Sequence, residues 1–286
     1  MRVKTAAKIN LALDVVGKLE NGYHLLESVF QTVGLYDEVT VETDDSGEIT
    51  VSCELPESFA KSDPIPCDER NIAYKAAKRF FEANDMKCGC RIHIKKGIPS
   101  QAGMGGGSTD AAAVLYCLSK LTGKAFSAPE KLGADVPFFL TGGTAYVSGI
   151  GENIKPIADY SSRILVIAKG VEGVSTAEAY AKIDALTASV HPETSKLVEA
   201  LCSGADNAHE YFGNLFEQAI KLEEVSDIEK KMRECGALAP TMTGSGSAVF
   251  GLFTSREQAG ICAEKLRSCG YFAEVCETVD RAFTEL

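Results

Sequence analysis

The segment best equipped for chemistry reads Pro99-Ser100-Gln101-Ala102-Gly103-Met104-Gly105-Gly106-Gly107-Ser108-Thr109, followed by Asp110 and a run of alanines. Upstream, residues 90–95 alternate in the strand manner, with Ile92 and Ile94 on one face. Downstream, residues 111–119 favour helix and meet no breaker before Gly123. Four glycines thus stand between a strand and the first turn of a helix. Bare backbone N–H groups in such a loop can approach an anion closely, and the helix's unpaired N–H groups and positive dipole end favour phosphate. Ser108 and Thr109 add hydroxyls for phosphate or metal. The alternative is a plain turn in which Ser108 caps the helix. A Walker A loop would end in Gly-Lys-Ser/Thr, but Gly107 runs directly into Ser108. A dinucleotide fingerprint needs a glycine three residues after its second, where this chain has Ser108 after Gly105. The loop reads as a phosphate cradle of a different class.

Two further places set polar groups among apolar ones. In residues 7–13, Ile9, Leu11 and Leu13 share one strand face while Lys8 and Asn10 fall on the other. That face is either the wet side of an edge strand or a place for chemistry. Asp135 stands in Gly133-Ala134-Asp135-Val136-Pro137-Phe138-Phe139, where it could cap a short helix started by Pro137 or present a carboxylate. Tyr23-His24 follows the turn signal Asn21-Gly22, and His24 by itself reads as a loop histidine. Thr243-Gly244-Ser245-Gly246 forms a second glycine loop, leading into an apolar strand.

The elements that must position these residues follow from periodicity. Strands are expected at 3–16, 38–43, 48–53, 90–95 and 144–148. A loop holding Pro56, Pro64 and Pro66 precedes a helix at about 70–83, capped by Asp68, with Ile72, Ala76, Phe80 and Phe81 inward. Residues 164–168 form a continuous apolar run fit for a central strand. Helices at 175–186, 194–201, 215–222, 225–235 and 257–268, with strands at 248–253 and 272–278, give an α+β plan with helices on one face of an antiparallel sheet. The break falls near residue 160, giving an N-terminal unit, 1–160, and a C-terminal unit, 161–286.

Composition bounds the partners. The 286 residues suffice for two domains, and 45% hydrophobic with 24% charged residues belongs to a globular enzyme. A net charge of −11 argues against a nucleic-acid surface but leaves nucleotides open, since these need only a local positive spot. No apolar run suits a signal peptide or a membrane span, so a cytoplasmic enzyme is expected. The ten cysteines include no Cys-x-x-Cys pair and read as reduced thiols rather than metal ligands.

Lys8-Ile9-Asn10, the glycine loop at 99–109 and Thr243-Gly244-Ser245-Gly246 together resemble the three motifs of the GHMP kinases. Gly22-Tyr23-His24 and Gly133-Ala134-Asp135-Val136-Pro137 narrow the likeness to the branch acting on a cytidine diphosphate-linked polyol. The resemblance implies an α+β, two-domain fold: an N-terminal domain like domain 2 of ribosomal protein S5, a ferredoxin-like C-terminal domain, and an active site between them. It implies ATP-dependent phosphorylation, with Mg2+, of the 2-hydroxyl of a cytidine diphosphate-linked methylerythritol in the non-mevalonate isoprenoid route. It makes Lys8 and Asp135 the catalytic pair and puts Asn10, Tyr23 and His24 on the substrate. His24 would hydrogen-bond the cytosine and Tyr180 stack on it, while Asn71 and Lys96 would lie near adenine and ribose. The loop from Pro99 to Thr109 would hold the ATP phosphates, with Ser108 reaching the magnesium ion. One rival is a sibling kinase for homoserine or a mevalonate-type substrate, which has no use for Gly-Tyr-His. The other is a silent ATP-binding regulator, which needs neither Lys8 nor Asp135.

Overall fold

The computed structural model describes residues 1–59 and 65–286, so Pro64 lies outside the described residues. The fold starts from a long antiparallel pair, β1 (Arg2–Lys18) and β2 (His24–Asp44), whose register shifts at three irregularities. The strand expected at 38–43 is the end of a longer one that begins at His24. β3 (Ile49–Glu54) and β4 (Gly89–Lys95) extend the sheet beyond β2. β5 (Thr144–Gly149) and β6 (Asn153–Pro156) continue it from the other part of β2. The helices α1 (Ile72–Ala83), α2 (Gly106–Thr122) and α3 (Val136–Thr141) share one core with this sheet.

After residue 160 the chain builds a second, wholly antiparallel sheet. It contains β7 (Ile164–Lys169), β9 (Leu238–Met242), β10 (Val249–Phe253) and β11 (Phe272–Glu277), in the order β11-β7-β10-β9. The apolar run of β7 is explained by two buried faces: Val166 and Ala168 pack towards α7 (Glu223–Glu234) and α8 (Arg256–Ser268). Leu165 and Ile167 pack the other way, against Ile9, Leu11 and Val29 of the first sheet. Three more helices, α4 (Thr176–Asp184), α5 (Thr194–Ser203) and the short α6 (Phe216–Ala219), fill the crossover. Two strands of this half return to β1: β8 (Gly213–Asn214) pairs with it in parallel and β12 (Phe283–Glu285) antiparallel.

With Ile9 and Leu11 committed to the second sheet, strand alternation sends Lys8 and Asn10 the opposite way. Both are buried, so β1 is no edge strand with a wet face. The N-cap of α1 is also corrected. Asn71, in extended conformation, accepts from the Ala73 amide at 2.8 Å, while Asp68 folds back onto Arg70. The closer residue wins because an N-cap side chain reaches only two or three residues forward.

Candidate active site

A cleft of about 1290 Å³ runs between the phosphate loop, α3, α4 and the second glycine loop. Ligand pockets for one drug-sized molecule run to roughly 300–1,000 Å³, so this space suits two small ligands side by side.

At its floor α2 starts at Gly106, with Gly105 as a left-handed N-cap at φ 70°. The amides of Gly106, Gly107 and Ser108 precede any possible helical acceptor and stand on the cleft wall. The four glycines divide their labour. A Cβ on Gly103 would sit 2.1 Å from the Thr243 carbonyl oxygen, and one on Gly105 2.7 Å from the Phe139 ring. These two are required by packing, leaving Gly106 and Gly107 in the first turn of the helix. Of the residues expected to hold phosphate, Pro99 through Ser108 line the cleft, although Met104 buries its side chain in the core. Thr109 does not. Its hydroxyl donates to the Ala6 carbonyl at 2.9 Å and meets the Thr5 hydroxyl, fully buried against β1. One residue beyond Ser108 is a turn of about 100° around the helix, which points Thr109 into the sheet.

Asp135 occupies the N-cap position of α3 yet makes no capping hydrogen bond. Its carboxylate instead lies 3.7 Å from Lys8 Nζ, with Asp135 29% exposed to the cleft and Lys8 5%. Lys8 also donates to Asn10 Oδ1 at 2.6 Å and stands 4.4 Å from the centre of the Phe30 ring. Burial lowers the pKa of this amine below that of an ordinary lysine, and the neighbouring Asp135 opposes the shift. A buried cation beside a reachable carboxylate is a pairing able to take a proton and to stabilise the anion left behind.

Asn10 is a knot as much as a wall. Its Oδ1 accepts from Lys8, from the Gly244 amide at 3.0 Å and from the Thr243 hydroxyl at 3.2 Å, and its Nδ2 donates to Ser28 Oγ at 2.9 Å. Thr243 Oγ1 in turn accepts from the Asn10 amide at 2.9 Å. Asn71 lines the cleft with its carboxamide committed to the cap and to the Pro66 carbonyl. Lys96 is likewise engaged: its amine donates to Asp110 Oδ2 at 2.8 Å and to Asp37 Oδ2. Burial works against its charge, but Asp110 and Asp37 outweigh that and hold its pKa up. Asp37 also accepts from the amides of Gly97 at 2.7 Å and Ile98 at 2.9 Å, anchoring the strand end that feeds the phosphate loop.

Further along the wall, His24 stacks on Tyr180 with ring centres 4.5 Å apart and planes at 17°. Phe216 meets Tyr180 edge-on at 5.1 Å. One face of Tyr180 is thus covered by His24, while Tyr23 stands 59% exposed. Burial first, and the Asp135 charge second, push the Tyr180 hydroxyl up to about 12, so it stays protonated. Sequence reading missed Asp37 and Asp184 as site residues. Asp37 looks like any charge between surface strands, and Asp184 like a solvated helix residue.

The loop, the pair and the knot define a class. A GHMP kinases N terminal domain is matched over residues 71–143 and a GHMP kinases C terminal over residues 195–271, and the chain belongs to this family. A 4-diphosphocytidyl-2-C-methyl-D-erythritol kinase of Clostridium botulinum is 42% identical over 276 residues, covering 93% of this chain and 96% of the relative. Its namesake from Clostridium tetani is 40% identical over 279 residues, covering 94% and 96%. A crystal structure of 4-(cytidine 5'-diphospho)-2C-methyl-D-erythritol kinase superimposes with a TM-score of 0.76 at 32% identity, covering 97% of this chain and 99% of that one. A homoserine kinase from Cytophaga hutchinsonii shares the fold at a TM-score of 0.75 and 17% identity, covering 99% and 96%.

Proposed function

We propose that this protein is an ATP-dependent small-molecule kinase that phosphorylates the 2-hydroxyl of 4-diphosphocytidyl-2-C-methyl-D-erythritol in the non-mevalonate route to isoprenoids. The observation that carries the reading is one cleft holding the start of α2, the Lys8–Asp135 pair and Tyr23-His24. The amides of Gly106, Gly107 and Ser108 hold the ATP phosphates at the helix N-terminus. Asp135 takes the proton of the attacking hydroxyl, whose oxygen bonds to the γ-phosphorus as the bond to the β-phosphate oxygen breaks and ADP departs. Lys8 faces the Asp135 carboxylate and stabilises the alkoxide as it forms. Tyr23 and His24 receive the cytosine, and Tyr180 supports His24.

Ser108, on the cleft wall beside the unpaired amides, would hold a magnesium ion, because that ion keeps several waters and takes phosphate oxygens, needing few protein ligands. When bound, magnesium neutralises charge on the phosphates. We divide the chain into units 1–160 and 161–286, supported by the second sheet lying wholly after residue 160. Among the described residues no helix is long and apolar enough to cross a membrane, and all ten cysteines are free, which supports a place in the reducing cytoplasm.

A coupled assay of ADP release with ATP and the cytidine substrate, against homoserine and mevalonate, tests the function. Turnover is expected with the cytidine substrate alone. Faster turnover of either rival would replace the reading.

A further inference from the structure

One ring nitrogen of His24 is already assigned. Nε2 lies 2.7 Å from Asp184 Oδ1, and this is the only side-chain hydrogen bond of His24 among the described residues. A carboxylate only accepts, so in the neutral ring the proton resides on Nε2 and Nδ1 carries a bare lone pair. The ring cannot turn freely: it is 9% exposed and stacked on Tyr180, which Phe216 holds edge-on. The other oxygen of Asp184 accepts from Lys18 Nζ at 2.5 Å, so α4 is tied twice to the β1–β2 hairpin.

We propose that Asp184 sets the base specificity of this cleft by locking the tautomer of His24. With the proton held on Nε2, Nδ1 is an acceptor, matching a pyrimidine that carries an exocyclic amine. Cytosine donates from its 4-amino group, whereas uracil offers a 4-oxo lone pair in the same place and is repelled. Asp184 is a positioning residue, acting on substrate only through His24. The inference rests on the cytidine substrate proposed above and adds how the base is told from its nearest rival.

The test compares kcat/KM for the cytidine diphosphate-linked polyol and its uridine diphosphate-linked analogue in wild type, Asp184→Asn, Asp184→Ala and Lys18→Ala. Asp184→Ala frees the tautomer, and Asp184→Asn can donate to Nε2 and drive the proton to Nδ1. Both should lower the cytidine-over-uridine ratio about tenfold, the worth of one such hydrogen bond, through the KM of the nucleotide substrate and with the KM for ATP unchanged. Lys18→Ala breaks only the second tie and should keep the ratio. Nitrogen-15 NMR of the four histidines should show His24 protonated at Nε2 in wild type and not uniformly so in the Asp184 variants. An unmoved ratio, an equal loss on both nucleotides, or a wild-type proton on Nδ1 would overturn the inference. A wild-type enzyme inactive on the cytidine substrate would instead overturn the function itself.

Discussion

At the scale of single residues, the decisive fact is that Asp135 stands where a helix cap belongs and does not cap. A structural Asp135 would tolerate asparagine, which keeps size and hydrogen bonding. A base in the proposed role would not. Asp135→Asn should cut kcat by about 10²–10⁴, because an amide cannot take the hydroxyl proton. Lys8→Met should lose kcat as well, and the double variant should be little worse than the poorer single one, since the two act as a unit. Steady-state kinetics alongside melting temperatures decide this, and near-normal turnover in Asp135→Asn would refute the role. A second titratable group shapes stability rather than chemistry. Glu217, in α6, accepts from the Met242 amide at 2.5 Å; burial first and Glu229 second raise its pKa from 4.5 to about 7. Between those values the unfolded chain releases the proton while the folded chain keeps it. Its contribution is therefore fully present at low pH and is lost as pH rises to about 7. Glu217→Gln keeps an acceptor for Met242, so the wild-type melting temperature should fall relative to this variant as pH goes from 4.5 to 7. A constant difference across that range would contradict the assignment.

At the scale of elements, two glycine loops face each other. Gly103 stands at φ 71° against Thr243, and a Cβ on Gly244 would lie 2.7 Å from the Gly103 carbonyl oxygen. Gly103→Ala should therefore destabilise the whole fold by about 2–5 kcal/mol, from left-handed strain plus overpacking of backbone on backbone. Gly106 is different: a Cβ there meets no backbone, only the side chains of Ile98 at 3.3 Å and Lys96, whose Nζ is 3.6 Å away. Gly106→Val should leave a folded protein with weakened ATP binding, read as a raised KM for ATP at a nearly wild-type melting temperature. The sequence carried the glycine loop plainly, because four glycines in five residues between a strand and a helix stand out whatever else the fold does. It also carried β4, β7, β10 and most helices, whose periods are long enough to count. β9 stayed hidden because Pro240 argues against a strand, and it is tolerated there only because β9 is an edge. β12 spans Phe283–Glu285, too short for any alternation to register. Lys8 and Asp135 were visible as misplaced polar residues, but their meeting came from the family resemblance. No local pattern could have linked His24 to Asp184, since that bond spans 160 positions.

At the scale of the molecule, the inner faces of the two sheets share one core, in which Ile9, Leu11 and Val29 interlock with Leu165, Ile167 and Phe250. Neither half can shed that surface to water cheaply. Thermal unfolding should thus be a single transition, coincident by near- and far-ultraviolet circular dichroism, with calorimetric and van't Hoff enthalpies equal. Two resolved transitions would show that the halves melt independently.

The Asn10 knot has a bearing on how such a protein can change over generations. Its bonds to Thr243 and Gly244 span 233 and 234 positions, and Thr243 reaches on to Gly103. Most single crossovers between two related genes fall between residues 10 and 243, and so separate these partners. A hybrid inherits a working knot only when both parents bring the same amide, hydroxyl and glycines to it. The halves of this enzyme are therefore poor currency for domain shuffling. Substrate range is freer to drift one residue at a time along the outer wall, where Tyr180 and Asp184 each hold His24 and leave the knot alone.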